Sequence, residues 1–113
     1  MEIREEEREG VKIIGLRGRL DAVTSPAVEQ RLLALVAQGE VRVAFDLSGL
    51  SYISSLGLRV LMVVAKQVQT GGGKLALATL TDSVREIFNL AGFTQLFTVC
   101  QTVDEAVAYC AGR

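Results

Sequence analysis

Two adjacent hydroxyls, Ser54 and Ser55, sit in the stretch Ser51-Tyr52-Ile53-Ser54-Ser55-Leu56-Gly57-Leu58-Arg59-Val60, between a strand-like segment and an almost wholly apolar run. At such a junction the first N–H groups of a helix lack an intrahelical acceptor, and a serine hydroxyl is a common substitute. The same N–H groups and the helix dipole stabilise a phosphate, so a serine here can be modified without disrupting the fold. A phosphate would add about −1.5 to −2 charges beside apolar side chains, and a partner resting on that surface would meet a desolvation cost. Catalysis has no comparable candidate. The chain contains no histidine, which removes Ser-His and Cys-His nucleophile pairs, an imidazole base and the usual zinc ligand sets. No carboxylate pair lies beside a recognisable catalytic loop. The residues point to a binding protein rather than an enzyme, with no cofactor and no metal.

The other motif that invites a chemical reading is Gly71-Gly72-Gly73-Lys74. A phosphate-binding loop of the Walker type needs Ser or Thr after the Lys and must leave a strand and open a helix. Here Leu75 follows, and the glycines read as the end of one helix and the entry to a strand. Gly15-Leu16-Arg17-Gly18 is not a dinucleotide fingerprint either.

Composition narrows the partners. With 12 basic and 13 acidic residues the net charge is −1, and only 5% of the chain is aromatic, so neither a basic field nor stacking platforms favour nucleic acid. The start, Met1 to Gly10, is charged where a signal peptide would be apolar, and the most apolar run, Val60 to Ala65, is too short to span a bilayer. A cytoplasmic protein with no membrane partner is the expectation. Cys100 and Cys110 form no CxxC or Cys/His grouping and are read as reduced and structural. A length of 113 residues suits one domain, 1–113, with one core.

The elements that must position the serines alternate in type. Glu2 to Arg8 reads as a charged edge strand, turned at Gly10 into a second strand, Val11 to Leu20, with Val11, Ile13 and Leu16 facing inward. Thr24-Ser25-Pro26 predicts a helix start with a hydroxyl cap, running to about Gln38 before Gly39 and packing through Val28, Leu32, Leu35 and Val36. Val41 to Leu47 is a central strand. A helix from Leu56 to about Gln69 is apolar over most of its circumference, so it is buried on nearly all sides or covers a partner. Lys74 to Ala78 is a strand. Thr81-Asp82 caps a helix built on Val84, Ile87, Phe88 and Ala91; Phe97 to Val99 is a last strand; and Thr102-Val103-Asp104-Glu105 is a capping box for a helix to near Ala111. Two strands followed by alternating helix and strand predict an α/β domain with a mixed, mostly parallel sheet of four to five strands and about four helices, joined by right-handed crossovers.

Asp46-Leu47-Ser48-Gly49-Leu50-Ser51-Tyr52-Ile53-Ser54-Ser55-Leu56-Gly57-Leu58-Arg59-Val60-Leu61 closely resembles the signature of STAS domains, specifically the anti-sigma factor antagonists of bacterial partner-switching systems. Gly18-Arg19-Leu20-Asp21-Ala22-Val23-Thr24 resembles the family's turn before the first helix, and Leu90-Ala91-Gly92-Phe93 its later L-x-G-[LF] element. The resemblance implies that Ser55 is the residue phosphorylated by a serine-kinase anti-sigma factor, with Ser54, at a position often Asp in the family, as the alternative. It further implies that the unphosphorylated protein binds that kinase and releases a sigma factor, and that a PP2C-type phosphatase restores it. The partner-binding surface implied is Asp21, Thr24, Ser54, Ser55, Gly57, Leu58 and Arg59. On the residues alone, Gly57 would keep bulk off the approach to Ser55, and Asp21 is equally readable as part of the turn before Thr24. The runner-up is a STAS subunit of a transporter ATPase or larger signalling assembly, acting without reversible phosphorylation.

Overall fold

Glu9 and Gly10 both take positive φ, 56° and 77°, the pair of conformations a two-residue hairpin turn requires. The chain reverses there, and β1 (Glu2–Arg8) pairs antiparallel with β2 (Val11–Leu20), from Arg8 opposite Val11 to Glu2 opposite Arg17. The remaining elements of the computed structural model, which describes residues 1–112, are α1 (Ser25–Leu35), β3 (Arg42–Ile53), α2 (Ser55–Thr70), β4 (Lys74–Ala78), α3 (Asp82–Leu90), a 3-10 turn (Phe93–Gln95), β5 (Thr98–Cys100) and α4 (Val103–Cys110). The five strands lie in sequence order, β1-β2-β3-β4-β5. All pairs after the hairpin are parallel, as helical crossovers demand.

Each face of the sheet has its own core. Ile14, Leu16, Leu20, Phe45, Leu47 and Leu77 join Val28 and Leu32 of α1, Leu58, Leu61 and Val64 of α2, and Val84 and Phe88 of α3 in the larger cluster. On the opposite face Val11, Ile13, Ala44, Ala76 and Ala78 meet Ala106, Val107 and Cys110 of α4. Thus β2 buries residues on both faces. The expected single inward set of Val11, Ile13 and Leu16 is divided, Val11 and Ile13 under α4 and Leu16 in the larger core. Strands covered on both sides read as continuous apolar runs rather than clean alternation.

Several boundaries differ from the sequence expectation. β3 continues past Leu47 to Ile53, because β2 pairs with it through Arg17–Gly49, Gly18–Leu50, Arg19–Tyr52 and Leu20–Ile53 across two register shifts. Those bulges let Ser48, Gly49 and Ser51, poor strand formers, stay in the sheet. α1 ends at Leu35 instead of about Gln38, although Val36 remains buried. β5 is Thr98–Cys100, one residue later than expected. The T-x-x-E capping box is present as read: Thr102 accepts from the Glu105 N–H at 3.1 Å, and Glu105 accepts from the Thr102 N–H at 3.1 Å.

The triple glycine ends α2 and enters β4, as expected. A Cβ on Gly73 would stand 1.8 Å from the Val41 carbonyl oxygen and one on Gly71 2.6 Å from that of Gly39. Gly71 and Gly73 are demanded by close backbone approach between the α2–β4 turn and the entry to β3, and Gly72 by its φ of 83°. Among the described residues no helix is long and apolar enough to cross a membrane.

Two outcomes follow from this packing. Gly73→Ala should lose about 3 kcal/mol, the upper end of overpacking costs, in urea denaturation, since the obstacle is backbone that cannot rotate away. Cys110 is buried, donates its S–H to the Val43 carbonyl at 3.3 Å, and burial pushes its thiol up to about 11. Iodoacetamide at mildly alkaline pH should leave Cys110 unmodified in the native protein and alkylate it after unfolding, as read by peptide mass spectrometry.

Candidate functional site

The site is built where β2 and β3 deliver their carboxyl ends side by side. Leu20 pairs with Ile53, and the Leu20 carbonyl accepts the Ser54 N–H at 2.9 Å. That bond joins the turn after β2 to the start of α2, so Asp21 and Thr24, remote in sequence from Ser54 and Ser55, share one end of the molecule with them. The contact is closed by Gly57: a Cβ there would lie 2.6 Å from the Leu20 carbonyl oxygen and 2.8 Å from Cγ1 of Ile53. Gly57 is buried, so its role differs from the one read in sequence. It lets the first turn of α2 settle onto β2 and β3, and the accessibility of Ser55 is a consequence of that seating.

The two serines have different jobs. Ser54 is the N-cap in extended conformation, with φ −92° and ψ 175°, and its Oγ accepts the Gly57 N–H at 3.2 Å. Ser55 is the first residue of α2 and is exposed. The cap that could have been either serine is therefore Ser54, and the Ser55 side chain faces outward over a helix start with no acidic residue in its first turn. Phosphate placed there would meet the positive end of the helix dipole unopposed by any carboxylate of the first helical turn.

The turn before α1 is a closed hydrogen-bond ring. Oδ1 of Asp21 accepts from the N–H groups of Val23 at 3.0 Å and Thr24 at 3.1 Å. The Thr24 hydroxyl donates to the Arg19 carbonyl at 2.8 Å and accepts from the Asp21 N–H at 3.0 Å. Thr24 is thus not a side-chain cap for α1, as its sequence position suggested; its hydroxyl is committed to the turn. The Thr24 N–H first, assisted by Val23 and the Arg19 charge, holds the Asp21 carboxyl below the ordinary carboxylate range. Oδ2 lies 3.7 Å from Nε of Arg19, whose guanidinium stacks over the Tyr52 ring at 4.3 Å.

Of the remaining sequence-predicted residues, Arg59 is exposed one helical turn after Ser55, on the same side of α2, while Leu58 is only 5% exposed and belongs to the core. Leu58 is withdrawn from the molecular surface because residue 58 falls on the sheet-facing stripe of α2 with Leu61 and Val64. The exposed apolar residues of these two segments are others: Val23 is 87% exposed in the turn, and Leu56 and Met62 are 43% and 38% exposed on α2. Sequence reading passed over Val23 and Leu56; the signal was an apolar residue beside each polar turn, at positions where burial was not demanded by the helical period.

With this geometry in place, comparison with known proteins is decisive for the family. The STAS domain model matches residues 2–106. The chain belongs to the STAS domain family. A Bordetella bronchiseptica relative, BtrV, named as a candidate anti-sigma factor antagonist, is 41% identical over 100 residues, covering 88% of this chain and 86% of its own. The crystal structure of an anti-sigma factor antagonist from Mycobacterium paratuberculosis superposes with a TM-score of 0.86 at 27% identity, over 96% of this chain and 92% of that one. The Bacillus protein SpoIIAA shares the STAS fold in its unphosphorylated form, with a TM-score of 0.82 at 20% identity over 99% of this chain and 98% of that one. Its phosphorylated form has a TM-score of 0.71 at 19% identity, over 96% and 98%.

Separating cap from exposed hydroxyl makes a stability prediction for this STAS domain. Ser54→Ala should cost about 1 kcal/mol in urea denaturation through loss of the cap, whereas Ser55→Ala should stay within about 0.5 kcal/mol of wild type. Equal losses would mean that the two hydroxyls share the cap. For Asp21, whose pKa is lowered, the turn bonds contribute stability above the unfolded value of about 3.9 and lose it as pH falls through the lower folded value. A carboxyl NMR titration of Asp21 with a midpoint at or above the ordinary aspartate value would contradict the ring.

Proposed function

We propose that this chain is an anti-sigma factor antagonist: its unphosphorylated form binds a serine-kinase anti-sigma factor and thereby releases a sigma factor. Phosphorylation of Ser55 ends that binding, and a PP2C-type phosphatase restores it. The observation that carries the reading is the placement of Ser55, exposed at the first position of α2 while Ser54 performs the capping. The names of its relatives, which describe anti-sigma factor antagonists, support the same reading.

In the proposed step the Ser55 Oγ attacks the γ-phosphorus of ATP held by the kinase. The O–P bond to Ser55 forms, the bond to the β-phosphate oxygen breaks, ADP leaves and the hydroxyl proton passes to a base of the kinase. The phosphatase reverses the modification with water, returning the hydroxyl and inorganic phosphate. Ser55 is substrate throughout. The contact surface combines Asp21, Thr24, Val23, Ser55, Leu56 and Arg59, with Ser54, Gly57 and Leu58 acting beneath it to seat the helix.

The dianionic group changes the surface and leaves the fold in place. Phosphate at the first position of α2 satisfies helix N–H groups, so the domain stays folded. The same charge next to Leu56 must be desolvated when a partner covers that residue.

Incubation with ATP and the serine-kinase anti-sigma factor should add one phosphate to wild type and to Ser54→Ala, and none to Ser55→Ala, by intact mass. Phosphorylated Ser55→Ala, or unmodified wild type, would remove the Ser55 assignment. Ser55→Asp should fold as wild type yet bind the kinase at least about tenfold more weakly than Ser55→Ala, a difference of about 1.4 kcal/mol; equal affinities would rule out the charge mechanism. Recovery of an ABC-type ATPase in place of such a kinase in a native pull-down would favour a transporter-associated STAS subunit.

A further inference from the structure

One edge of the sheet is β1, and its sequence, Glu2-Ile3-Arg4-Glu5-Glu6-Glu7-Arg8, is complementary in charge to itself when reversed. Charged residues on an edge strand ordinarily block pairing with another chain. Here their order does the opposite for one register.

The hairpin determines which backbone groups are free. In a two-residue hairpin the residues flanking the turn, Arg8 and Val11, form a hydrogen-bonded pair, and such pairs recur at every second residue. Glu6, Arg4 and Glu2 therefore bond to β2, while Ile3, Glu5 and Glu7 direct their N–H and C=O groups away from the sheet. A second copy lying antiparallel across a two-fold axis at Glu5 sets Ile3 against Glu7 and Glu5 against Glu5. Each of the outward groups then meets an outward group of the other copy.

The same register decides the side chains. Its close, non-hydrogen-bonded pairs are Glu2 with Arg8 and Arg4 with Glu6, each occurring twice by symmetry and all on the face that carries α4. The neighbouring two-folds fail: an axis at Arg4 sets Arg4 against itself and Glu2 against Glu6, and an axis at Glu6 sets Arg4 against Arg8. The one like pair of the favoured register, Glu5 with Glu5, lies on the other face, where each Glu5 is held by Arg31 of α1 at 3.0 Å. Arg8 is already 2.7 Å from Asp104 of α4, so Glu2 of a second copy would join an existing acidic partner around that guanidinium.

We propose that β1 is a homodimerisation edge, joining two five-stranded sheets into one continuous sheet through an antiparallel β1–β1 pair centred on Glu5. None of the residues of the Ser55 surface is in β1, so the dimer presents two such surfaces at once. A partner that is itself dimeric would then be engaged bivalently, with the second contact made at high effective concentration.

Sedimentation equilibrium of the whole chain from micromolar to millimolar concentration should show reversible dimers. Arg4→Glu, which converts both Arg4–Glu6 pairs into like-charge pairs, should weaken association about tenfold or more. The charge swap Arg4→Glu with Glu6→Arg recreates the opposite pairs and should return it close to wild type. Glu5→Pro removes an outward N–H that β2 does not use, and should abolish the dimer while circular dichroism remains that of the folded monomer. Wild type that stays monomeric at millimolar concentration overturns the proposal. So does a dimer indifferent to Arg4→Glu, or one that the charge swap fails to restore, since either would place the contact on another surface or in another register. Amide exchange at Ile3, Glu5 and Glu7 that slows as concentration rises would locate the pairing in β1; unchanged exchange in a dimeric sample would exclude it.

Discussion

The Leu20 carbonyl is the point on which the site depends. It accepts the Ser54 N–H at 2.9 Å, and the first turn of α2 approaches it so closely that only a glycine fits at position 57. Because the bond joins the carboxyl ends of two adjacent parallel strands, it orders two loops at once. The Asp21–Thr24 ring on one side and the Ser54–Ser55 helix start on the other are placed by the same atom. Parallel sheets commonly build their sites at strand carboxyl ends for this reason: loops that are distant in sequence become neighbours there.

That constraint also explains how a helix start can be capped and still present an exposed serine. Backbone N–H groups at a helix start need an acceptor, and Ser54 supplies one to Gly57. Ser55 is left exposed one residue later, so a change of charge there has little packing to disturb. Beside it on α2 the exposed residues are Leu56 and, one turn on, Arg59, and a phosphate standing next to the apolar Leu56 would be costly to cover. The core residues beneath, Leu58, Leu61 and Val64, hold α2 against the sheet.

Much of the fold was legible because the strongest signals are local. The T-x-x-E capping box, the glycine stops and the alternation of helix and strand each follow from the next few residues. The extension of β3 to Ile53 was not, because Ser48, Gly49 and Ser51 are poor strand formers held in line by pairing with β2 across two register shifts. Thr24 shows the same limit on a smaller scale. Its position before Ser25-Pro26 is that of a cap, but Asp21 and the Arg19 carbonyl compete for its hydroxyl and win, since they rigidify the turn that precedes the helix.

By itself the sequence determined the α/β class, the family resemblance, the absence of a histidine-based active site and the pair of serines at a helix start. Those depend on residue type and on spacing along one segment. Only the tertiary structure decided which serine caps, that Leu58 is core and Leu56 surface, and that Gly57 is required by the Leu20 carbonyl. Each of these turns on where a residue falls relative to a second segment of chain, and the distance between segments is set by packing that no local stretch encodes.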